Sequence, residues 1–381
     1  MTGFLPVTFI MPSAPKHQAI SRELLAEIAE GKFGSSGRMP SESQLCRRFS
    51  VSRPTAARAL RDLQDQGLID RRAGSGTFVR SGATPANVKQ LGLLIPGLGE
   101  IFGSIAGELA ALARGHEYAL LWGGDARQET SVPEIEQWCR QFISRQVGGV
   151  GGVGGVAGVF FAPFEHIAQA TEINRRVADC LRQAGIAVVL LDRDILPPPA
   201  RSQFDLVGID NFAAGYLVAE HLLKLGSRRP IFVARPHSAG TIWSRIAAAR
   251  AAMLDRAISP PPDFVRQGEP DDPTFIQKLA ESGDFDAAIC ANDQTAAILM
   301  RGLAHKGLRV PQDVRIVGFD DVRFATLVSP GLTTVHQPCR QIAQVAFRAM
   351  LERIAEPTLP ARSIWLTPTL VVRESCGAYG I

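Results

Sequence analysis

Apolar residues recur at helical spacing in the first part of the chain and define three short amphipathic segments. The first covers about residues 18–30, and the second begins where Ser41 and Gln44 can form a capping box at a helix N-terminus. Ser52 is placed to cap a third helix, RPTAARALRDLQDQ, which Gly67 closes. The next stretch, LIDRRAGSGTFVR, is typical of two short strands around a glycine-rich turn. This order of helices and hairpin predicts a winged helix-turn-helix domain.

Beyond residue 90 the pattern changes to apolar strands that alternate with amphipathic helices. The candidate strands are LGLLIP (91–96), YALLWG (118–123), GVFFAP (158–163), VVLLD (188–192), DLVGID (205–210), PIFVA (230–234), AAICAN (287–292) and VRIVGF (314–319). The clearest helical patterns cover residues 101–115, 173–184, 211–225 and 243–256. Apolar strands separated by helices predict an α/β domain with parallel sheets covered on both faces. Between the two patterns, SGATPANVKQ (81–90) is small and polar and predicts a linker.

A glycine-rich stretch, VGGVGGVGGVAGVFFAP (147–163), contains the G-x-G-x-x-G pattern of dinucleotide-binding loops. Such a loop needs a strand before the glycines and a helix after them, so that the pyrophosphate meets a helix N-terminus. Here a predicted helix, IEQWCRQFISRQ, comes first and a predicted strand follows. The order is the reverse of the required one, so we interpret the repeat as an expanded connection and expect no cofactor.

Charge is distributed unevenly along the 381 residues, a length at which two or three compact units are expected. Residues 1–80 carry 12 Lys and Arg against 7 Asp and Glu, which is +5. The rest of the chain carries 29 against 30, which is −1 and accounts for the overall +4. A small basic module attached to a nearly neutral body indicates that the module meets a polyanion.

Several classes of protein are disfavoured by the sequence. No apolar run is long enough to span a bilayer, and the opening residues lack the basic start and cleavage site of a secretory signal. Either Met1 or Met11 can be the start, and residues 1–15 are expected to be a disordered extension. The six cysteines contain no C-x-x-C pair and are expected to be free thiols in a reducing cytoplasm. We therefore expect a cytoplasmic protein with no membrane partner.

Motifs of catalytic sites are also absent. The sequence has no Ser-His-Asp nucleophile elbow and no H-E-x-x-H, and the body's histidines are dispersed. Its few lysines, Lys89, Lys224, Lys278 and Lys306, lie in no recognisable cofactor context, although an aminotransferase-like body would need a Schiff-base lysine. We expect no enzyme activity and no metal site.

The segment RMPSESQLCRRFSVSRPTAARALRDLQDQGLIDRRAGSGTFV resembles the DNA-binding domain of the GntR family of bacterial transcription regulators. The resemblance places that domain at residues 16–80 and implies contact with double-stranded operator DNA. The residues it implies at the DNA are Arg38, Ser41, Ser43, Ser52, Arg53, Thr55, Arg58, Gly74 and Gly76. One departure is Ala57, where the family pattern has arginine. Because one helical residue is about 100° of rotation, Arg58 is expected to meet phosphate rather than a base.

Polar residues follow four of the predicted strands of the body where each strand ends. They are Asp192 and Arg193, Asp210 and Asn211, Asn292 and Asp293, and Asp320 and Asp321. In open α/β sheets, ligands bind in the crevice beyond the carboxyl ends of the strands. Residues in such places can instead cap the following helix, which is the role expected for Asn211, Gln294 and Asp321.

The body, assigned as a domain at residues 91–381, resembles over roughly residues 90–375 the effector domain of LacI-type regulators, which is built like the periplasmic sugar-binding proteins. The motifs that carry the resemblance are LDRD, DLVGIDNFAAGYLVAEHLLKLGSRRPIFVA, SRIAAARAAM, ICANDQTAAILMRGLAHKGLRVPQDVRIVGFDD and LTTVHQP. It implies two Rossmann-like lobes with crossovers near 195–204, 336–338 and 356–363. It also implies that a small-molecule effector lies in the cleft against Asp192, Arg193, Thr241, Arg245, Asp293 and Gln337. Phe102 and Trp243 are candidate apolar faces for a sugar ring, or alternatively residues of the core or an interface.

A sugar or polyol is the expected effector, because carboxylates accept from vicinal hydroxyls and arginine donates to ligand oxygens. The whole chain is similar to arabinose-responsive repressors of sugar metabolism. Residues 81–90 show no helical pattern, so no contact of a hinge helix with the minor groove is expected. The leading hypothesis is a homodimeric, ligand-responsive transcription regulator, most often a repressor. The alternatives are a nucleoside or sugar phosphate as effector, an enzyme fused to a GntR-type domain, and a transport binding protein.

Overall fold

A computed structural model of the chain describes residues 16–29, 32–33, 37–65, 69–72, 76–79, 89–97, 99–123, 132–148, 155–167 and 169–379. Four features expected from the sequence lie outside these residues: the extension at 1–15, most of the linker at 81–90, the tandem glycines at 149–154, and Gly74. The described part of the chain forms two compact units, one before the linker and one from Lys89 onward.

The first unit consists of three helices and a two-stranded hairpin. Its elements are α1 (Lys16–Ala29), α2 (Glu42–Phe49), α3 (Arg53–Asp65), β1 (Ile69–Arg72) and β2 (Gly76–Val79). The strands pair antiparallel, with Ile69 opposite Val79. The predicted order of elements, and with it the winged helix-turn-helix fold, is confirmed.

Local signals in the sequence explain how these helices begin and end. The predicted capping box is present: the Ser41 amide donates to Gln44 Oε1 at 2.7 Å, and the Gln44 amide donates to Ser41 Oγ. Ser50 follows α2 in the left-handed conformation (φ 51°), which ends the helix and turns the chain toward α3. The buried core residues include Ile20, Leu24, Ile28, Leu45, Ala56, Ala59, Leu60, Leu63 and Ile69.

The second unit alternates strands and helices as the sequence predicts. In chain order its elements are β3 (Lys89–Leu94), α4 (Glu100–Gly115), β4 (Tyr118–Gly123), α5 (Val132–Gly148), β5 (Val156–Phe161), α6 (Ala170–Gln183), β6 (Ala187–Leu191), β7 (Asp205–Ile209), α7 (Asn211–Lys224), β8 (Pro230–Ala234), α8 (Gly240–Asp255), β9 (Val265–Gln267), α9 (Pro273–Ser282), β10 (Ala287–Cys290), α10 (Asp293–His305), β11 (Arg315–Asp320), α11 (Phe324–Leu327), β12 (Thr333–His336), α12 (Cys339–Ala355), β13 (Ser363–Leu366) and β14 (Thr369–Val371). Each described helix falls short of what a membrane-spanning helix needs in length or apolarity.

Two six-stranded sheets divide this unit into two lobes. The first sheet has the order β13-β7-β6-β5-β3-β4 and is parallel throughout. The second has the order β14-β12-β11-β10-β8-β9, and only β14 runs antiparallel to its neighbour. The predicted two-lobed fold with parallel sheets is confirmed.

The chain passes between the lobes at three places, two of which differ from the prediction. The crossover near 195–204 is wrong, because that segment joins β6 and β7, which are neighbours in one sheet. The first crossover instead lies at Asp210, between β7 and α7. The crossover near 356–363 is also wrong, since α12 and β13 both belong to the first lobe and the chain leaves it at 367–368, before β14. The remaining one lies between β12 and α12, where the prediction placed it at 336–338.

Two helix caps fall earlier in the chain than expected. The Asp210 carboxylate accepts from the Ala213 amide at 2.9 Å and caps α7, while the Asn292 side chain accepts from the Thr295 amide at 2.8 Å and caps α10. Asn211 and Gln294 are therefore not the caps, because each lies one or two residues inside the helix. Their side chains are available for other contacts.

Candidate functional site

The exposed side of α3 carries arginines, and its other side builds the core of the first unit. The exposed arginines are Arg53, Arg58 and Arg61, and the buried residues are Ala56, Ala59, Leu60 and Leu63. Ala57, at the position of the family's arginine, is half-buried, whereas Arg58 is exposed. The helix thus presents a positive surface to solvent.

Four of the predicted DNA-binding residues meet near the amino end of α3. The Arg53 guanidinium donates to the Ser43 hydroxyl at 3.4 Å, and the hydroxyls of Ser52 and Thr55 are 2.9 Å apart. These groups come from α2, the tight turn and α3, so the helix-turn-helix geometry is what assembles them. Together they form a small polar cluster that contains one guanidinium.

The other predicted DNA-binding residues lie elsewhere in the unit. The Ser41 hydroxyl is engaged as the cap of α2. Arg38 forms an isolated antiparallel bridge with Phe78 beside the hairpin, close to Gly76. Gly76 has φ +116°, a conformation that favours glycine, and Gly74 lies outside the described residues.

Arg48 is a basic residue of this unit whose charge is compensated internally. Its guanidinium donates to Glu27 at 2.6 and 2.9 Å and to Glu23 at 2.8 Å, which ties α2 to α1. The hydrogen bond from Arg48 lowers the pKa of Glu27, so the pair stays ionised at neutral pH. Arg48 therefore stabilises the helix packing rather than adding to the positive surface of α3.

In the second unit, a cavity of about 560 Å³ lies between the two lobes, at the carboxyl ends of strands from both sheets. Of the predicted effector-binding residues, those that line it are Phe102, Asp192, Arg193, Thr241, Arg245 and Gln337. Further polar residues in the lining are Glu165, His166, Arg235, Ser238, Asn292, Gln294, Thr295 and Asp320. Of the polar residues that follow the predicted strands, Asp192, Arg193, Asn292 and Asp320 lie at this cavity, where the strand-end rule expects a ligand.

The first lobe contributes a buried ionic group to the cleft. Arg193 follows β6; its Nε donates to Asp192 at 3.0 Å and its Nη1 forms an ion pair with Glu165. The Phe102 ring lies 5.6 Å from the Arg193 guanidinium and covers it. Burial opposes the charge on Glu165, but the nearby Arg193 and His166 outweigh it and lower the pKa of Glu165 to about 2. Glu165 is therefore a permanent anion.

The second lobe contributes Arg245 from α8, a buried guanidinium without a carboxylate partner among its hydrogen bonds. Its Nε donates to Asn211 Oδ1 and its Nη1 to the Ala291 carbonyl, both at 2.7 Å. The guanidinium also stacks over the Phe319 ring at 4.3 Å. Burial lowers the pKa of Arg245, and Asp320 is the first of the acidic residues that offset this effect.

Two acceptor atoms in the cleft have no hydrogen bond. Asp192 Oδ1 and Gln337 Oε1 are both buried and accept nothing from the described residues. The Gln337 amide nitrogen donates to Asp320 at 3.2 Å, so its oxygen points elsewhere. An unsatisfied buried acceptor costs free energy, which a ligand or water that brings hydroxyl or amino hydrogens removes.

Asp293 was predicted to line the cleft, and that prediction is wrong. Asp293 is 0% exposed and does not reach the cavity. Its carboxylate accepts from the Thr334 hydroxyl at 2.6 Å and from the Val322 amide at 3.0 Å, which turns it inward. The carboxylate that does line the cleft on this side is Asp320, at the end of β11.

Trp243 was also predicted to line the cleft, and it does not, because of its position around helix α8. Thr241 and Arg245 are four residues apart and share the cleft side of α8, but Trp243 lies about 200° around the helix from each. Its side chain is 50% exposed and lines a separate depression together with His237 and Gln267. Trp243 therefore belongs to the outer surface of the second lobe.

Asp321 was expected to cap a helix, but it instead links β12 to the segment that follows β14. Its carboxylate contacts His336 Nδ1 at 2.9 Å and accepts from the Arg373 guanidinium at 2.7 Å.

The cleft also contains residues that were not predicted from the sequence. Two of them, Glu165 and His166, follow β5 in the segment APFEH. The rule that selected the other strand ends would have found them.

Comparison with known proteins agrees with this architecture. Residues 16–79 match the family model described as bacterial regulatory proteins, gntR family, and residues 219–376 match the periplasmic binding protein-like domain. The chain joins a GntR-type winged helix to a periplasmic-binding-protein-like domain. The arabinose specificity of the repressors it resembles finds no support in these matches.

Individual relatives match parts of the chain. The HTH-type transcriptional repressor PurR of Salmonella newport (strain SL254) is 35% identical over 181 residues, which are 46% of this chain and 53% of PurR. The chain thus spans about half the length of the curated relatives it matches. A putative LacI-family regulator from Sanguibacter keddieii (27% identity, TM-score 0.58) covers 76% of this chain with 100% of its own.

A complex of the transcriptional regulator CelR with cellobiose shares the fold over most of the molecule. It covers 96% of this chain and 100% of its own, with 20% identity and a TM-score of 0.63.

Proposed function

We propose that this protein is a DNA-binding transcription regulator, acting as a repressor, whose operator affinity is controlled by a small molecule in the cleft. The observation that carries the proposal is the combination within one chain of a winged helix with an exposed basic helix and a two-lobed unit with a polar cleft. Neither an enzyme nor a transport protein explains both parts. The similarity to PurR, which is named a transcriptional repressor, supports the same conclusion.

The arrangement around α3 supports binding in a major groove of duplex DNA. Arg53 stands beside the hydroxyls of Ser43, Ser52 and Thr55, a set of donors suited to base edges and adjacent phosphates. Arg58 is exposed farther along the helix and is assigned to phosphate. We further propose that the protein acts as a homodimer on a two-fold symmetric operator, in which each winged helix occupies one half-site.

The chemistry of the cleft supports a sugar or polyol as effector. Asp192 Oδ1 and Gln337 Oε1 are acceptors that need donors, which vicinal hydroxyls provide. Arg245 and Arg193 offer donors to ring and hydroxyl oxygens, and Phe102 offers an apolar face. A sugar or polyol in the cleft would therefore leave few buried polar groups without a hydrogen bond, either in the protein or in the ligand.

A nucleoside or a sugar phosphate is the second candidate, and one observation favours the sugar phosphate, which is the anion of the two. Three arginines line the cleft, but Arg193 is paired with Glu165 and Arg235 donates to Glu269 at 2.7 Å. Arg245 alone among these three donates only to neutral oxygens. It is therefore the one of the three that can hydrogen-bond a phosphate or carboxylate without giving up a carboxylate partner.

Control of operator affinity would follow from linkage between lobe closure and the pose of the two winged helices in the dimer. A ligand that binds the closed cleft more tightly than the open one shifts the population toward closure. The coupling free energy in such systems is about 1–3 kcal/mol, or roughly 5- to 150-fold in operator affinity.

The test is a thermal-shift screen of the full chain followed by an operator-binding assay. The panel contains pentoses including L-arabinose, hexoses, disaccharides, polyols, sugar phosphates and nucleosides. A ligand at about a hundred times its Kd adds about 2.7 kcal/mol of stability. The operator is selected from a random duplex pool with the purified protein. A compound that shifts the melting temperature and changes operator affinity supports the proposal; a compound that binds without changing operator affinity contradicts the regulatory part.

A further inference from the structure

The two lobes touch each other directly at one edge of the cleft. Glu165 and His166, in the first lobe, follow β5, and residues 236–239 precede α8 in the second lobe. The His166 amide donates to the His237 carbonyl at 2.9 Å, and His166 Nδ1 lies 3.0 Å from the Pro236 carbonyl. Since a carbonyl only accepts, that nitrogen carries the proton.

The Glu165 side chain makes a further hydrogen bond between the lobes at the same contact. Its Oε2 accepts from the Ala239 amide at 3.1 Å. Ala239 is the N-cap residue of α8 and has no side chain able to bond the helix amides. A carboxylate of one lobe thus caps a sixteen-residue helix of the other lobe, where the helix dipole favours a negative charge.

The other carboxylate oxygen of Glu165 faces the cleft. Oε1 forms the ion pair with Arg193, whose Nε is held by Asp192. Arg193 is buried and carries no hydrogen bond to the second lobe among the described contacts, so Glu165 is the side chain that joins Arg193 to α8. The helix in turn carries Thr241 and Arg245 into the same cleft.

Close packing of Gly240 against the Pro198 ring shows that the lobes meet tightly here. A Cβ added to Gly240, the first residue of α8, would lie 2.7 Å from Cδ of Pro198 in the first lobe. Glycine is therefore needed for this approach. The amino end of α8 consequently rests against the first lobe through both a charged bond and a steric contact.

We propose that Glu165 is a positioning residue of the cleft. Its carboxylate holds Arg193 in the first lobe and the amino end of α8 in the second. Lobe closure and the orientation of the arginines that face the ligand therefore depend on the same side chain. The proposal deepens the proposed function and rests on it for the ligand. The contacts of Glu165 with both lobes involve only protein atoms, so their effect on closure can be tested without a ligand.

The experiment measures the distance between the lobes in the ligand-free full chain. Dyes are attached through non-canonical amino acids at Gln183 on α6 and Lys278 on α9, both exposed, and labelled protein is diluted into unlabelled protein for single-molecule energy transfer. We expect Glu165→Ala to move the population toward longer distances. Glu165→Gln keeps an acceptor for the Ala239 amide and is expected to retain part of the short-distance population.

The matched control is Glu269→Gln, which also removes a carboxylate paired with a cleft arginine but lies within one lobe. It should leave the distance unchanged. An unchanged distance distribution in Glu165→Ala, or an equal change in the control, would overturn the proposal.

Titration of L-arabinose, D-ribose and cellobiose gives the second readout. Affinity for whichever of them binds the wild type should fall about tenfold in Glu165→Ala, the size expected for loss of a charged hydrogen bond. If none of the three binds the wild type, the sugar part of the proposed function loses support, while the ligand-free distances still decide the role of Glu165.

Discussion

Asp293 accepts the Thr334 hydroxyl at 2.6 Å, and this bond holds its carboxylate beneath the floor of the cleft. The neighbouring acid Asp320 faces the cavity instead. Burial raises the pKa of both carboxyls, and for Asp293 the charge of Asp320 raises it further. Two acids, one beyond the end of β10 and one at the end of the adjacent β11, thus share one poorly solvated region. Asp293 is held in the interior by hydrogen bonds, whereas Asp320 lines the cleft.

This pair predicts how stability depends on pH. A carboxyl with a raised pKa in the folded state stabilises the fold while it is protonated; that contribution is complete below the unfolded pKa of about 4 and is lost as pH rises through the folded pKa. The free energy of unfolding should therefore fall from pH 6 to pH 9. Asp293→Asn keeps the shape and an acceptor without the charge, so this fall should be shallower in the variant.

The control for that measurement is Asp205→Asn, a buried acid with the opposite shift. Burial opposes its charge, but hydrogen bonds from Arg353 and Arg362 outweigh it and lower the pKa of Asp205, which therefore titrates in acid. Its loss should reduce stability by about the same amount throughout pH 6–9. Denaturant unfolding at four pH values measures the free energy of unfolding of each variant. If that free energy falls with pH as steeply in Asp293→Asn as in the wild type, the prediction is contradicted.

A second prediction separates cleft residues from outer ones. Asp192→Asn should weaken binding of the ligand found in the screen by about tenfold or more, because a charged acceptor is lost from the cleft. Trp243→Ala, on the outer side of α8, should leave that affinity within about twofold. Isothermal titration measures both, and equal losses in the two variants would mean that the ligand does not lie in this cleft.

A third prediction concerns α3. Arg53→Ala should weaken binding to the selected operator far more than binding to random duplex, by about 1–3 kcal/mol of discrimination, because base contacts carry specificity. Arg58→Ala should weaken both by similar factors, as a phosphate contact does. Competition assays at a fixed salt concentration measure the two ratios. Equal losses on both DNAs for Arg53→Ala would reassign it to phosphate.

A fourth prediction compares two helical glycines. A Cβ on Gly215 of α7 would lie 2.4 Å from the Arg245 carbonyl oxygen of α8, so Gly215→Ala should force the two helices apart and destabilise the second unit. A Cβ on Gly107 of α4 meets nothing within 4 Å, so Gly107→Ala should stabilise by about 0.5–1 kcal/mol through helix propensity. Thermal melts give both signs, and a neutral Gly215→Ala would contradict the close packing.

The sequence predicted the order of helices and strands well because apolar periodicity and caps are local signals. The strands it missed, β9, β12, β13 and β14, have three or four residues each, too few for a pattern to develop. Two crossovers were misplaced for a related reason. Which sheet a strand joins depends on distant partners, as with β13, which pairs with β7 from more than a hundred residues away.

The cleft was found from the same local rule, but the choice among neighbouring side chains was not. Asp293 and Asp320 both follow strands of the second sheet, and only Thr334 and the Val322 amide decide that Asp293 turns inward. Trp243 differs, since its position two residues from Thr241 already places it on the far side of the helix. Glu165 was missed although it also follows a strand.

The bond from Arg245 to Asn211 connects the cleft with a crossover. Arg245 lines the cleft, and Asn211 is the residue directly after the place where the chain first passes between the lobes. A contact made by Arg245 within the cleft is therefore one hydrogen bond away from the backbone that joins the two lobes.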